Sequence, residues 1–355
     1  MIQTTSMNRR SGLTLVELLV VIAIMGLLTA LIVPQVRLIN KDRNIREAAR
    51  VVGTALTQAR DRAVATGAAG LQIERNTNIT DGDVCYAGTR LYLMRKVPNY
   101  QDTAGAIIDW NSAPGQVQIR LPYAWEPGMI QPGDRIRFDH SSVRYPITHT
   151  PTLGGLGLGL QIGLSGGVLP IPRSGNNIPF VVERSPRRIE SSRVDLPDGY
   201  IIDLRYSGYW DGQTTDFAIT PTLDISGNPV VASGSRVAAP IELIFNSDGG
   251  LDRLNVQEKN AGLQPNDPPR TPYMARGSVD LFVTEYRPDA AGLSGVPAAQ
   301  QILANPAALW VTLSDKSGGV NVGYNAPPNN NVSPDLQSLI LFARGASRDR
   351  SSAKQ

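Results

Sequence analysis

The sequence predicts an α+β protein: a long N-terminal α-helix, its first half membrane-spanning, packed through its second half on an antiparallel β-sheet body. Three observations carry this. Residues 13–33 form an apolar run with one charge, Glu17. The apolar spacing of three and four residues then continues to about Thr66. From Leu71 onward, short stretches alternate apolar and polar residues between turn signals. The 34 glycines and 26 prolines among 355 residues fit such a loop-rich body,.

The N-terminal run comes first. About 21 helical residues span roughly 30 Å, the thickness of a bilayer core. A cleaved secretory signal would have a shorter apolar stretch and a small-x-small cut site at its far end. Here the far end reads "TALIVPQVRLIN", and the small residues Ser11 and Gly12 precede the apolar run instead. Arg9 and Arg10 supply a basic start, while Arg37, Lys41, Arg43 and Arg46 follow on the other side, so charge asymmetry does not orient the segment,. Glu17 is the anomaly, because a carboxylate buried in hydrocarbon costs several kcal/mol without a partner.

The stretch "GLTLVEL" (Gly12–Leu18), with its uninterrupted apolar run and Pro34, resembles the class III signal of type IV pilins and of type II secretion pseudopilins. The resemblance implies cleavage by a prepilin peptidase between Gly12 and Leu13 and N-methylation of Leu13. It places Glu17 at the fifth mature position and Pro34, a helix-kinking proline in many pilins, at the twenty-second. The α-amino group freed on Leu13 has a reference pKa of about 8 and is largely cationic at neutral pH. In a stack of subunits, Glu17 of one chain then meets the Leu13 ammonium of its neighbour, and the carboxylate sets the register of assembly. The peptidase site also puts the body outside the cytoplasm.

Past Pro34, Val36, Ile39, Ile45, Ala48, Ala49, Val52, Ala55, Leu56, Ala59 and Ala63 recur at helical spacing,. Asp42–Arg46 and Glu47–Arg50 are opposite-charge pairs on the helix surface. Gly67 and Gly70 are candidate terminators. The whole helix would be roughly 80 Å long, and its small Ala residues would let a strand layer approach closely. The segment "ALTQARDRAVATGAAGLQIER", with Arg60, Ala63, Gly67 and the strand Leu71–Glu74, resembles the helix-to-strand passage of the GspH/FimT family of minor pseudopilins. "IELIFNSDGGLDRL" (Ile241–Leu254) resembles that family's strand followed by a Gly-containing turn.

The expected strands are Leu71–Glu74, Arg90–Val97, Val117–Leu121, Arg135–Asp139, Phe180–Glu183, Tyr200–Tyr206, Ile241–Asn246, Val279–Tyr286, Trp310–Leu313 and Val320–Tyr324. Asp248-Gly249 is a hairpin-turn signal. Leu263–Pro272 reads as a Pro-rich loop. Ser333-Pro334 reads as N-cap and first position of a short helix reaching about Arg344. The domain plan is a leader (1–12), a transmembrane assembly helix (13–34), its amphipathic continuation (35–70), a β-rich globular domain (71–344) and a disordered tail (345–355). The Gly/Leu-rich stretch 153–179 is read as an insertion: either a flexible surface loop or an apolar ribbon that docks on another subunit.

Catalytic signals are weak. His140 and His149 are the only histidines, and "DHSSVRYPITH" lacks further ligands at a metal-binding spacing,. Asp139 and His140, adjacent on a strand, would point to opposite faces. Asp81-Gly82-Asp83 and Asp211-Gly212 read as turns; some major pseudopilins bind Ca²⁺ in a loop, but no EF-hand spacing is present. Cys85, the single cysteine, excludes an intramolecular disulfide and reads as a small core residue,. No phosphate loop or dinucleotide fingerprint appears, so an ATPase driving assembly would be a separate protein. The net charge of +3 is scattered, and nucleic-acid binding is not expected,.

The expectation is therefore a non-enzymatic structural subunit without a cofactor, a minor pseudopilin of a type II secretion-type pseudopilus, with the tip as the finer expectation. Its partners would be other pilin or pseudopilin subunits, the prepilin peptidase/methylase and the bacterial inner membrane, which it would cross once with its body in the periplasm. The alternatives are a minor pilin of a type IV pilus or DNA-uptake system, and a membrane-anchored hydrolase or binding module.

Overall fold

The computed structural model describes residues 15–75, 87–109, 116–121, 129–131, 134–138, 143–149, 158–163, 175–210, 214–217, 222–223, 229–230, 240–257, 270–274, 277–286, 302–325, 340 and 342–345. The chain divides into two compact units, Met1–Asn44 and Ile45–Gln355. One helix, α1 (Leu15–Thr66, 52 residues), contributes to both. It continues through Pro34, whose side chain is outside the described set, as are all side chains at 31–40.

The strands in chain order begin with β1 Ala68–Arg75, β2 Ala87–Arg95, β3 Tyr100–Asp109, β4 Gln116–Leu121, β5 Arg135–Phe138, β6 Tyr145–His149 and β7 Leu158–Gly163. There follow β8 Gly175–Glu183, β9 Arg187–Arg188, β10 Val194–Asp195, β11 Tyr200–Asp203, β12 Gly208–Trp210, β13 Thr214–Asp216, β14 Thr222–Leu223 and β15 Pro229–Val230. The last are β16 Ile241–Asn246, β17 Leu251–Gln257, β18 Arg270–Met274, β19 Val279–Glu285, β20 Leu309–Leu313 and β21 Val320–Tyr324.

In the second unit α1 buries the face that its spacing marks: Ile45, Ala48, Ala49, Val52, Ala55, Leu56, Ala59 and Ala63 are all buried. Their small size brings the sheet close to the helix. Gly67 ends α1: its N–H donates to the carbonyl of Ala63 at 2.7 Å, and its φ of 87° is one that only glycine adopts without strain,. Gly70 instead lies within β1.

A 13-stranded sheet receives this helix. Its central path is β18-β17-β16-β1-β2, and the free side of β2 is taken successively by β9, β10 and β11. β19 pairs with β11 and β12 on one side and with β20 on the other, and β21 pairs β20. Every described pairing is antiparallel. Apolar residues meet across the strands on the helix side, as in Leu71 opposite Leu243 and Leu93, and Leu281 opposite Val311. They form one core with the buried stripe of α1.

The opposite face differs along its length. Over β19 and β20 it is apolar, where Phe282 and Trp310 pack with Tyr206, Ile302, Leu303, Ile340 and Ala343. Trp310 is fully buried and its Nε1 donates to Asn325 Oδ1 at 3.0 Å. Asn325 Nδ2 in turn donates to the carbonyls of Leu303 and Asn305. Arg344, also buried, donates to the carbonyl of Tyr206 and lies 5.8 Å from the Trp310 ring centre, so the C-terminal helical residues are tied to the sheet. Over β1, β16 and β17 the face is polar. Gln72 Nε2 and Asn255 Nδ2 donate to the two oxygens of Glu242, at 3.0 and 2.8 Å, in a row across three strands.

Between β2 and β9 the chain builds a second body, a closed six-stranded barrel in the order β3-β4-β7-β6-β5-β8. Within the stretch 153–179, Leu158–Gly163 and the start of Gly175–Glu183 are barrel strands rather than loop, while residues 153–157 and 164–174 lie outside the described residues. The reason is register. Val117, Ile119 and Leu121 of β4 come opposite Ile162, Leu160 and Leu158 of β7. The alternation of Gly with Leu and Ile is the period-two pattern of a strand, with glycine on the other face. Two smaller corrections follow from the same ladder. Arg270–Pro272, at the end of the Pro-rich stretch, belongs to β18, an edge strand among the described residues, where a missing N–H is tolerated,. The strand expected over Tyr200–Tyr206 stops at Asp203, because residues 204–206 turn.

Candidate functional site: the apolar helix start

From Leu15 to Leu28 the large side chains of α1 are exposed, including consecutive residues such as Leu18, Leu19, Val20, Val21 and Ile22. Five consecutive positions exceed one turn of a helix, so the apolar surface is not a stripe but a whole cylinder. Such a surface is stable in water only when lipid or other helices cover it. Glu17 sits in the first turn, where a carboxylate interacts favourably with the helix N-terminus. Thr29, the other polar side chain described here, satisfies itself by donating to the carbonyl of Met25 at 2.7 Å.

Among the described residues no helix is long and apolar enough to cross a membrane. The portion with described side chains, 15–30, covers about 24 Å at 1.5 Å per residue, short of the roughly 30 Å of a bilayer core. Gly12 and Leu13 lie outside the described residues.

Of the remaining sequence candidates only His149 falls among the described residues. His140, Cys85, Asp81-Gly82-Asp83, Asp211-Gly212 and Ser333-Pro334 lie outside the described residues, and His149 ends β6 with its backbone opposite Gln161. Among the described residues no group of three or more His, Cys, Asp and Glu side chains converges as a metal site would require. A narrow cleft is lined by Ile201, Asp203, Arg205, Thr284, Glu285, Ile302 and Asn305. In it Arg205 grips Asp203 with two prongs, at 2.7 and 3.0 Å, so the charge that could hold an ion is already engaged.

Sequence reasoning missed one polar cluster, where the barrel meets the sheet. Buried Asp134 accepts from Ser185 N at 2.7 Å, Gln131 N at 2.9 Å and Arg187 at 2.7 Å. The next residue, Arg135, lies 3.7 Å from Asp252 of β17. Arg253 is buried close by; burial, with Arg135 adding to it, pushes its guanidinium down to about 10,. Asp134 is 53 positions from Arg187 in sequence, and Arg135 and Asp252 lie still further apart, so no local pattern announces the cluster.

The class these features define is a chain whose apolar helix start needs lipid or other helices to cover it,. Residues 7–33 match the family model described as the prokaryotic N-terminal methylation motif. The chain therefore carries a prepilin-type N-terminal signal, which supports a type IV pilin-like or pseudopilin subunit and implies processing by a prepilin peptidase and assembly with other pilin subunits. Residues 34–355 lie outside that match. Comparison with curated proteins and with solved structures finds no match for the chain.

Proposed function

We propose that the chain is a minor pseudopilin, placed at or near the tip of a type II secretion-type pseudopilus, and related to the GspH/FimT group. It is stored in the bacterial inner membrane as a single-pass protein with its body in the periplasm. Prepilin peptidase cuts between Gly12 and Leu13, Leu13 is methylated, and Glu17 then pairs with the freed ammonium of an adjoining subunit. The work is structural; neither catalysis nor a bound cofactor is part of it.

The observation that carries this reading is the apolar cylinder of α1, interrupted near its start by Glu17. A carboxylate placed there is tolerated only with a fixed cationic partner, and a neighbour's N-terminus is one that processing supplies. The large body, with a barrel added to the sheet, suits a low-copy subunit better than one repeated densely along a fibre. The test is N-terminal mass analysis of the mature chain from a peptidase-competent cell. The expected first residue is Leu13 with one added methyl group. A chain that still begins at Met1 or Met7 would sink the proposal.

A further inference from the structure

We propose that the six-stranded barrel is a separately folded module held in one pose on the sheet by a charge-paired seam, Asp134 to Arg187 and Arg135 to Asp252, and that breaking this seam lets the barrel swing about its neck. This goes beyond the assembly reading and does not depend on it.

The topology is the first reason. Only residues 96–99 and 184–186 connect the barrel to the sheet, and they run side by side. Tyr100 pairs with Val182 at the barrel end and Arg95 with Arg187 at the sheet end. The barrel also has buried apolar residues of its own, including Ile136, Phe138, Tyr145, Ile147, Phe180 and Val182, none of which belongs to the core shared by α1 and the sheet.

The chemistry of the seam is the second reason. The sheet face near the contact presents Gln72, Glu242, Arg253 and Asn255, all buried and all polar. Two of their atoms, Gln72 Oε1 and Asn255 Oδ1, have no hydrogen-bond partner among the described residues. An interface of this kind contributes little net stability, unlike an apolar core, and relative motion is the default for modules joined by one. What it supplies is orientation. Asp134 and Arg135 are adjacent and opposite in charge, and their partners Arg187 and Asp252 are opposite in the complementary sense. A shifted or rotated pose would bring like charges together.

The test uses the full chain in detergent micelles with Cys85→Ser, and spin labels on Gln58→Cys of α1 and Arg144→Cys of the barrel, both exposed positions. Pulsed dipolar spectroscopy then reads the distance distribution. The parent should give one narrow distance. Arg135→Glu should add a longer, broad component, lowering the docked-to-swung ratio about fivefold to tenfold, on the scale of turning a partly exposed ion pair into a repulsion. Arg135→Glu combined with Asp252→Arg should restore the single distance. Should Arg135→Glu fail to fold, Arg135→Gln and a rise to about 1 M salt on the parent should move the distribution in the same direction, because the Arg135–Asp252 pair is partly exposed and salt-screened. A distribution unchanged by every one of these, or a charge swap that stays as broad as the single reversal, overturns the proposal.

Discussion

The backbone N–H of Leu251 donates to the carbonyl of Asp315 at 2.7 Å. The first residue follows the β16–β17 turn and the second begins the β20–β21 turn. β16 and β20 lie in opposite halves of the sheet, separated by β1, β2, β11 and β19. The sheet therefore curves far enough around α1 for two hairpin tips to meet, and they do so beside Arg60, which approaches both Gly249 and Gly318.

That meeting leaves no room for a side chain. A Cβ on Gly318 would stand 1.9 Å from the carbonyl oxygen of Gly249, and its φ is 60°. Gly318→Ala should lower stability by more than about 2 kcal/mol, combining backbone strain with a clash against main chain that cannot rotate away. Urea unfolding would read this as a lower midpoint with the slope unchanged. A midpoint equal to the parent's would mean that the two turns do not touch.

Glu17→Ala and Glu17→Val should leave cleavage after Gly12 and membrane retention intact while reducing entry into filaments. In the proposed assembly the Glu17 carboxylate, exposed on the single chain, acts in register between subunits rather than in processing. Sheared filament fractions compared with membrane fractions give the measurement. Normal incorporation of either variant would remove the role assigned to Glu17.

The Tyr206 hydroxyl is raised above its ordinary value, first by burial and then by the Asp203 carboxylate, with Arg205 acting in the opposite sense. The unfolded chain ionises this phenol near pH ~10, the folded chain only higher. Stability from this group is thus fully present below pH ~10 and is lost as pH rises from there, since the folded state then holds more protons than the unfolded one. Arg253 works against this trend: its charged form is disfavoured by burial, and that cost is relieved as pH rises past about 10. Comparing Tyr206→Phe with the parent cancels the arginine. The variant should lose less stability between pH 9 and pH 11 (roughly the window set by free tyrosine). Parallel pH profiles would show that the hydroxyl does not titrate differently on folding.

Much of this was legible in the linear chain. The buried stripe Ile45, Ala48, Ala49, Val52, Ala55, Leu56, Ala59 and Ala63 can be read from spacing alone, and so can strands such as Ile241–Asn246 and Val320–Tyr324, whose bounds agree with the structure. The barrel could not. Leu158–Gly163 has the alternation of a strand, but its glycines make it look like a loop until β4 supplies a partner in register. Val194–Asp195 and Arg187–Arg188 are too short for any period to show, and become strands only because β2 offers them a free edge.

The linear chain by itself determined what local chemistry can encode: an apolar run preceded by a cleavage signal, an acid five residues into it, and a helix face with a 3.6-residue period. Those properties depend on neighbours within a few positions, so composition and spacing carry them. Tertiary structure decided everything that depends on contact between distant segments. It closed six strands into a barrel, set Asp134 against Arg187 and Arg135 against Asp252, and brought Gly249 to Gly318. Pairing free energy there belongs to two segments at once, and neither segment contains it alone.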